Sequence, residues 1–183
     1  MERVGFKEWA LVCAALGAGR QSVIIRKGGI AEGRDGFQFR QREFFLFPTF
    51  FHEQLGRTRL TSAELPEQLP GEVEIRFAAR IEEMCALTDW EKVRALEPLH
   101  VLQESVVRER FDYDHAPGVQ VALVRVFRLA TPWRFADLPR YGGCRSWVEL
   151  PVLPEDLQLS PVLSDSDHEQ AAAQFRTSLS RWR

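Results

Sequence analysis

The sequence predicts an α+β fold, a curled mixed sheet or small β-barrel with flanking helices and a C-terminal helical tail. Three observations carry that reading. In EVEIRFAARI (72–81), Val73, Ile75, Phe77, Ala79 and Ile81 alternate with Glu74, Arg76, Ala78 and Arg80, the period of a strand with one buried face. Two other runs, EFFLF (43–47) and VQVALVRVFRLA (119–130), are apolar on both faces, as central strands are. Helical spacing occurs only in short pieces between them, without the regular strand–helix alternation of a parallel α/β sheet. The 183 residues, 45% apolar and 27% charged, suffice for one core-bearing domain with an appendage.

The elements follow in order. Phe6, Trp9, Ala10 and Cys13 recur at helical spacing, so a helix is expected over 6–16, stopped by Gly17 and Gly19. Ser22 to Arg26 reads as a strand ended by Gly28-Gly29, and GRDG (33–36) as a turn. FQFRQREFFLF (37–47) reads as a strand entering the core and closed by Pro48. Residues 56–71 are expected to form a loop with one helical turn before the strand at 72–81. TDWE (88–91) fits a capping box with Thr88 at its head, and Pro98 ends that short helix. A further helix over 101–111 would pair Glu104 with Arg108. The strand at 119–130 and the turn Tyr141-Gly142-Gly143 lead to a last strand at 145–150. The domain is drawn at 1–153, and 154–183 as a proline-containing linker with a helix capped by Ser166 and Glu169.

Composition excludes several classes. A net charge of −2 rules out a generally basic coat, so attraction to phosphate must be local. Cys13, Cys85 and Cys144 are isolated and odd in number, which supports neither a disulfide framework nor a zinc ribbon and fits reduced thiols in the cytoplasm. The opening MERVGFKEWALVC lacks the apolar core of a signal peptide, and no window approaches the ~20 apolar residues of a membrane helix.

The local basic excess falls at 20–42, where Arg20, Arg26, Lys27, Arg34, Arg40 and Arg42 face only Glu32 and Asp35. Glycine lets a backbone approach phosphate closely, so Arg26, Lys27, Gly28 and Gly29, with Arg40 and Arg42, form the candidate phosphate site. Thr49, Phe50 and His52 follow Pro48 at a strand end, where an aromatic can stack on a base and a histidine can hydrogen-bond it. Tyr141, Ser146 and Trp147, beside the second glycine turn, complete the candidate base pocket. No catalytic residue is assigned: Ser146 lacks a GxSxG setting and a base. No metal or other cofactor is predicted, because His52, His100, His115 and His168 show no ligand spacing and no carboxylate–lysine nuclease spacing is visible.

The segments QSVIIRKGGI (21–30), REFFLFPTFFHEQ (42–54) and YGGCRSWVEL (141–150) resemble a bacterial family, domain-of-unknown-function family 1802, over about residues 5–150. That resemblance implies a link to restriction–modification and a restriction-system subunit as partner. EWALVCAALGAGRQSVIIR also resembles the W-A-x-x-I-x-x-G-x-K-T-x-E-x-R pattern of the PUA-like superfamily, including its ASCH and EVE branches. Gly19 and Arg26 stand in register, but Gln21 replaces the lysine and Ile24 the glutamate, which removes support for the amidohydrolase activity of some ASCH proteins. Together these imply a PUA-like domain that binds nucleic acid, with a flipped or modified base as preferred ligand. The alternatives are a metal-dependent nuclease or other hydrolase of the same defence context, or a non-catalytic protein-interaction subunit.

Overall fold

The structure, a computed structural model, describes residues 1–27, 37–113 and 116–180. Eleven regular elements occur among them in the order β1 (Val4–Trp9), α1 (Ala10–Gly17), β2 (Val23–Arg26), β3 (Glu43–Thr49), β4 (Glu72–Leu87), α2 (Trp90–Arg94), α3 (Glu104–Phe111), β5 (Val119–Ala136), β6 (Trp147–Glu149), β7 (Leu159–Pro161) and α4 (Asp165–Ser180). The seven strands form one mixed sheet in the order β2-β5-β4-β3-β1-β6, with β7 also pairing on β5. Only β1 and β3 run parallel; every other ladder is antiparallel.

The sheet curls around α1, whose residues are buried on nearly every side and therefore apolar all round rather than amphipathic. The ends of the curl meet without a ladder: the Arg26 guanidinium of β2 donates to the Lys7 carbonyl of β1 and lies 4.8 Å from the Phe6 ring centre. Two apolar clusters sit on opposite faces. Phe6, Phe44, Leu46, Phe77 and Ile81 face α1 and β2, whereas Phe45, Phe47, Ile75, Trp133 and Val148 pack on the other side. This double burial is why EFFLF is a continuous apolar run.

Several local expectations shift. The apolar stretch from Phe6 begins as β1, and only at Ala10 does the chain turn helical, because Val4–Trp9 pairs with both β3 and β6. Helical spacing and a doubly buried strand look alike over so few residues. At the far end of α1, Gly19 has φ +71°, its N–H bonds Leu16, and Arg20 N–H reaches Ala15 O at 2.9 Å, a Schellman stop. Phe37 to Arg40 precede β3 without joining a ladder, although Phe37 is buried against Phe6. The cap of α2 is Asp89, not Thr88: its carboxylate accepts from Glu91 N–H at 2.9 Å. Arg108 pairs with Asp112 rather than Glu104, and Ser164, not Ser166, accepts from Asp167 N–H. The GRDG turn lies outside the described residues.

Phe77 and Leu123 are buried and Arg76 is exposed, as the alternation requires. Glu74 is not free on the wet face: its side chain is 11% exposed and is held between Arg76 and Arg134. The segment read as a tail is packed on the domain, with Ala172 and Phe175 of α4 inside the main cluster and His168 Nε2 2.7 Å from Glu82 of β4. Among the described residues no helix is long and apolar enough to cross a membrane.

Candidate functional site

The β3–β4 ladder ends at Phe45↔Ala78. Beyond it, residues 46–49 continue on β1 alone, while residues 72–77 of β4 swing away with β5, helped by a bulge between Ile75 and Phe77. The gap between the parted strands is a cleft of about 460 Å³, walled by α1, the 66–69 loop and the Tyr141-Gly142 turn. That size lies within the ~300–1,000 Å³ of small-molecule pockets. Its lining is apolar and aromatic at depth (Leu46, Phe47, Phe50, Phe77, Tyr141) and charged at the rim.

Each charged wall is positioned by identifiable contacts. Lys7 Nζ donates to Tyr141 O and Gly143 O, both at 2.8 Å, and its backbone N–H donates to Ser146 O at 2.8 Å. The YGGC turn is thus wrapped around one lysine, with Gly143 at φ +79°, a conformation that suits glycine. Burial pushes the Lys7 ammonium below its ordinary pKa, against the opposing charge of Asp137. Arg128 donates to Gly17 O at 2.7 Å and stacks 5.0 Å from the Phe77 ring centre. Burial would raise the Glu74 carboxyl, but hydrogen bonds from Arg134 and Arg76 outweigh it and hold its pKa below the usual range.

Residues 5–174 match the family model described as Domain of unknown function (DUF1802). The chain belongs to this family. No curated protein matches it. Among solved structures, the DUF1802 chain is similar to ASCH from Zymomonas mobilis, at 12% identity over 93% of each chain and a TM-score of 0.46. Two point mutants of ZmASCH from the same organism are likewise 12% identical. One covers 93% of this chain and 94% of that chain (TM-score 0.44), the other 94% and 98% (TM-score 0.43).

The DUF1802 chain distributes the sequence-predicted residues unevenly. Thr49, Phe50 and Tyr141 line the cleft; the Thr49 hydroxyl donates to Glu8 O at 3.0 Å. His52 is exposed in a short 3₁₀ turn and does not line it. Trp147 belongs to the aromatic core, 4.9 Å from Phe6 and 5.3 Å from Phe44, and Ser146 supplies the carbonyl that binds Lys7 N–H. Arg26 points inward: its side chain is 18% exposed and lies 3.4 Å from the buried Glu8 carboxylate. Lys27 donates to Ala116 O, and Gly28 and Gly29 lie outside the described residues. Arg40 and Arg42 are exposed ahead of β3, away from the cleft.

The two motif positions that depart from the ASCH pattern are occupied by the fold. Gln21 donates to Val23 O at 2.8 Å and accepts from Val101 N–H at 3.1 Å, and Ile24 is fully buried. Gln54, from the HEQ end of the second motif, accepts Leu11 N–H at 3.1 Å, one of the orphan donors at the start of α1. Lys7, Arg76 and Arg128 escaped the sequence reading because no local pattern shows that three segments so far apart in the chain meet at one cleft. The only trace was that YGGC needed something to fold around. Among the described residues no three His, Cys, Asp or Glu side chains gather as a metal site.

Proposed function

We propose that the cleft between β3 and β4 receives a single unstacked base of a nucleic acid, and that the domain is a binding module rather than a catalyst. One observation carries the reading: an aromatic-lined cleft opens at a strand divergence with an anchored ammonium beside it. A base buries its π-face against Phe50 or Phe77 and its polar edge meets the rim, a combination that single-stranded or flipped nucleotides satisfy. Phosphates stay outside, near exposed cations at the rim such as Arg128. A bacterial, cytoplasmic setting in restriction–modification or another defence system, with a restriction-system subunit as partner, is the portion of the proposal that rests on what the family resemblance implies.

The test is a titration of single-stranded and duplex DNA and RNA, plain and methylated, against the parent protein and Phe50→Ala. Stacking on an aromatic contributes about 1–3 kcal/mol per base, so Phe50→Ala should bind the preferred strand roughly tenfold or more weakly, with its salt slope unchanged. Thermal melting confirms that the variant is folded. Equal affinity of the two proteins, or no binding of any strand at low salt, overturns the proposal.

A further inference from the structure

The wall of the cleft has a second side. Trp9 ends β1 opposite Thr49 of β3, and Thr49 and Phe50 line the cleft. Phe51 is extended, with φ −153° and ψ 152°, so its ring turns away from that of Phe50 and packs edge-on against Trp9 at 5.0 Å. Two guanidiniums are held against the same indole. Arg110 of α3 lies 4.8 Å from the Trp9 ring centre and Arg57 lies 5.6 Å from it, which leaves them about 10 Å apart at most.

Three arginines and two carboxylates share this region. Glu8 is buried and faces Arg26 at 3.4 Å, and Glu109 pairs with Arg57 at 2.6 Å. Arg110 makes no ion pair among the described residues. A guanidinium carries five N–H donors; Arg110 gives one hydrogen bond, from Nη1 to Ile25 O at 2.7 Å, which ties α3 to β2. None of its other nitrogens is buried without a partner, so those donors open to the surface. Burial brings its pKa down to about 10, an effect that Glu8 opposes and the Arg26 and Arg57 charges reinforce, so at neutral pH it stays a cation. The Arg57–Glu109 pair is exposed at its Glu109 end, and an incoming anion displaces such a pair at little cost.

An uncompensated guanidinium beside an exchangeable one suits an anion with several oxygens, which arginine meets with two parallel hydrogen bonds. The neighbouring cleft favours phosphate over carboxylate, because a strand with one base behind Phe50 passes over Thr49–Phe51 with its backbone outside. We propose that Arg57 and Arg110, set beside Trp9, form a phosphate site on the outer side of this wall, and that its phosphate adjoins the base held in the cleft. The second half rests on the base-binding reading above; the first half does not.

The experiment titrates single-stranded DNA and RNA over a salt series against the parent, Phe50→Ala, Arg57→Gln, Arg110→Gln, Glu109→Gln and Glu104→Gln. Inorganic phosphate and acetate are separate arms. Glu104 is exposed at the start of the same helix, so Glu104→Gln removes an equal charge outside the site. Arg57→Gln should weaken strand binding and lower the salt slope by about 0.7, the share of one phosphate contact on a single strand. Arg110→Gln should do at least as much; it also breaks the Ile25 contact, so Arg57→Gln carries the test if that variant fails to fold. Glu109→Gln should tighten binding by up to about fivefold, the strength of one exposed ion pair, and Glu104→Gln by less. Inorganic phosphate should bind the parent more tightly than acetate does and bind Arg57→Gln more weakly. Phosphate binding without strand binding would give the site to a small phosphorylated compound and overturn its link to the cleft. If Phe50→Ala weakens strand binding but both arginine variants keep the parent's affinity and slope, the phosphate site is wrong and the base cleft stands. If the arginine variants behave as expected while Phe50→Ala matches the parent, the phosphate site stands and the base cleft falls. Equal effects of Glu109→Gln and Glu104→Gln, or acetate binding as tightly as phosphate, would overturn the site. If neither strands nor phosphate bind, both readings fall.

Discussion

His100 makes the stability of this domain depend on pH in a way that can be worked out in advance. Its side chain is buried, and its Nδ1 accepts Leu102 N–H at 3.2 Å. Burial first, then the Arg59 and Arg110 charges, push its pKa down to about 3 from an ordinary 6.5. The unfolded chain therefore takes up a proton below pH 6.5 that the folded chain refuses until about pH 3. Stability from this residue is full above the unfolded value and falls as pH drops through that window, by about 1.4 kcal/mol per unit. From pH 8 to pH 5 the loss is about 2 kcal/mol. His100→Asn keeps an oxygen acceptor for Leu102 N–H but cannot titrate. Urea unfolding of both proteins at several pH values between 8 and 5 isolates the effect, since all other titrating groups are shared. The stability advantage of the parent over the variant should shrink by about 2 kcal/mol across that range. Parallel curves would refute the claim that His100 is held neutral in the fold.

Other outcomes follow from the same contacts. Glu8 is 2% exposed and faces Arg26 at 3.4 Å, and Arg110, packed 4.8 Å from the Trp9 ring centre, has its pKa lowered by desolvation, which the Glu8 charge opposes. Glu8→Gln should destabilise the fold in chemical denaturation, because it leaves the part-buried Arg26 and Arg110 without the buried carboxylate that faces them. A Cβ on Gly17 would lie 2.0 Å from Phe77 Cζ. Gly17→Ala should therefore destabilise by about 1–3 kcal/mol despite the better helix former, and pairing it with Phe77→Leu should recover part of the loss in thermal melts. Truncation after Leu153 removes β7 and the buried Phe175 of α4. The shortened chain should lose cooperative unfolding, whereas a melt like that of the full chain would make 154–183 a dispensable tail.

Much of the fold was legible because burial imposes a period. The alternation in 72–81 and the doubly apolar runs at 43–47 and 119–130 are strands because each carries the pattern that its own faces require. The first stretch was misassigned for the same reason: Val4–Trp9 is short, and apolarity on both faces does not distinguish a strand from a buried helix. Capping residues moved by a position or two because several polar side chains near a helix start can supply the same acceptor, and tertiary packing selects Asp89 and Ser164. Of the candidate base pocket, Thr49, Phe50 and Tyr141 came together in the cleft.

What the sequence by itself determined is chemical: an apolar-cored α+β fold and a glycine stop after the first helix. It also presented Arg26 as a free cation, since charge and a neighbouring glycine pair were all that could be seen. Only the tertiary structure decided which cations are free. Closing the curl brings β2 against β1, so Arg26 is spent on Glu8, Phe6 and a backbone carbonyl. Lys7, lost among apolar neighbours in the sequence, is carried to the cleft by the divergence of β3 from β4 and fixed there by a turn more than 130 residues away. Local pattern encodes which face of an element is wet. It does not encode which charges from distant elements will meet, because that depends on the register of ladders between segments far apart in the chain.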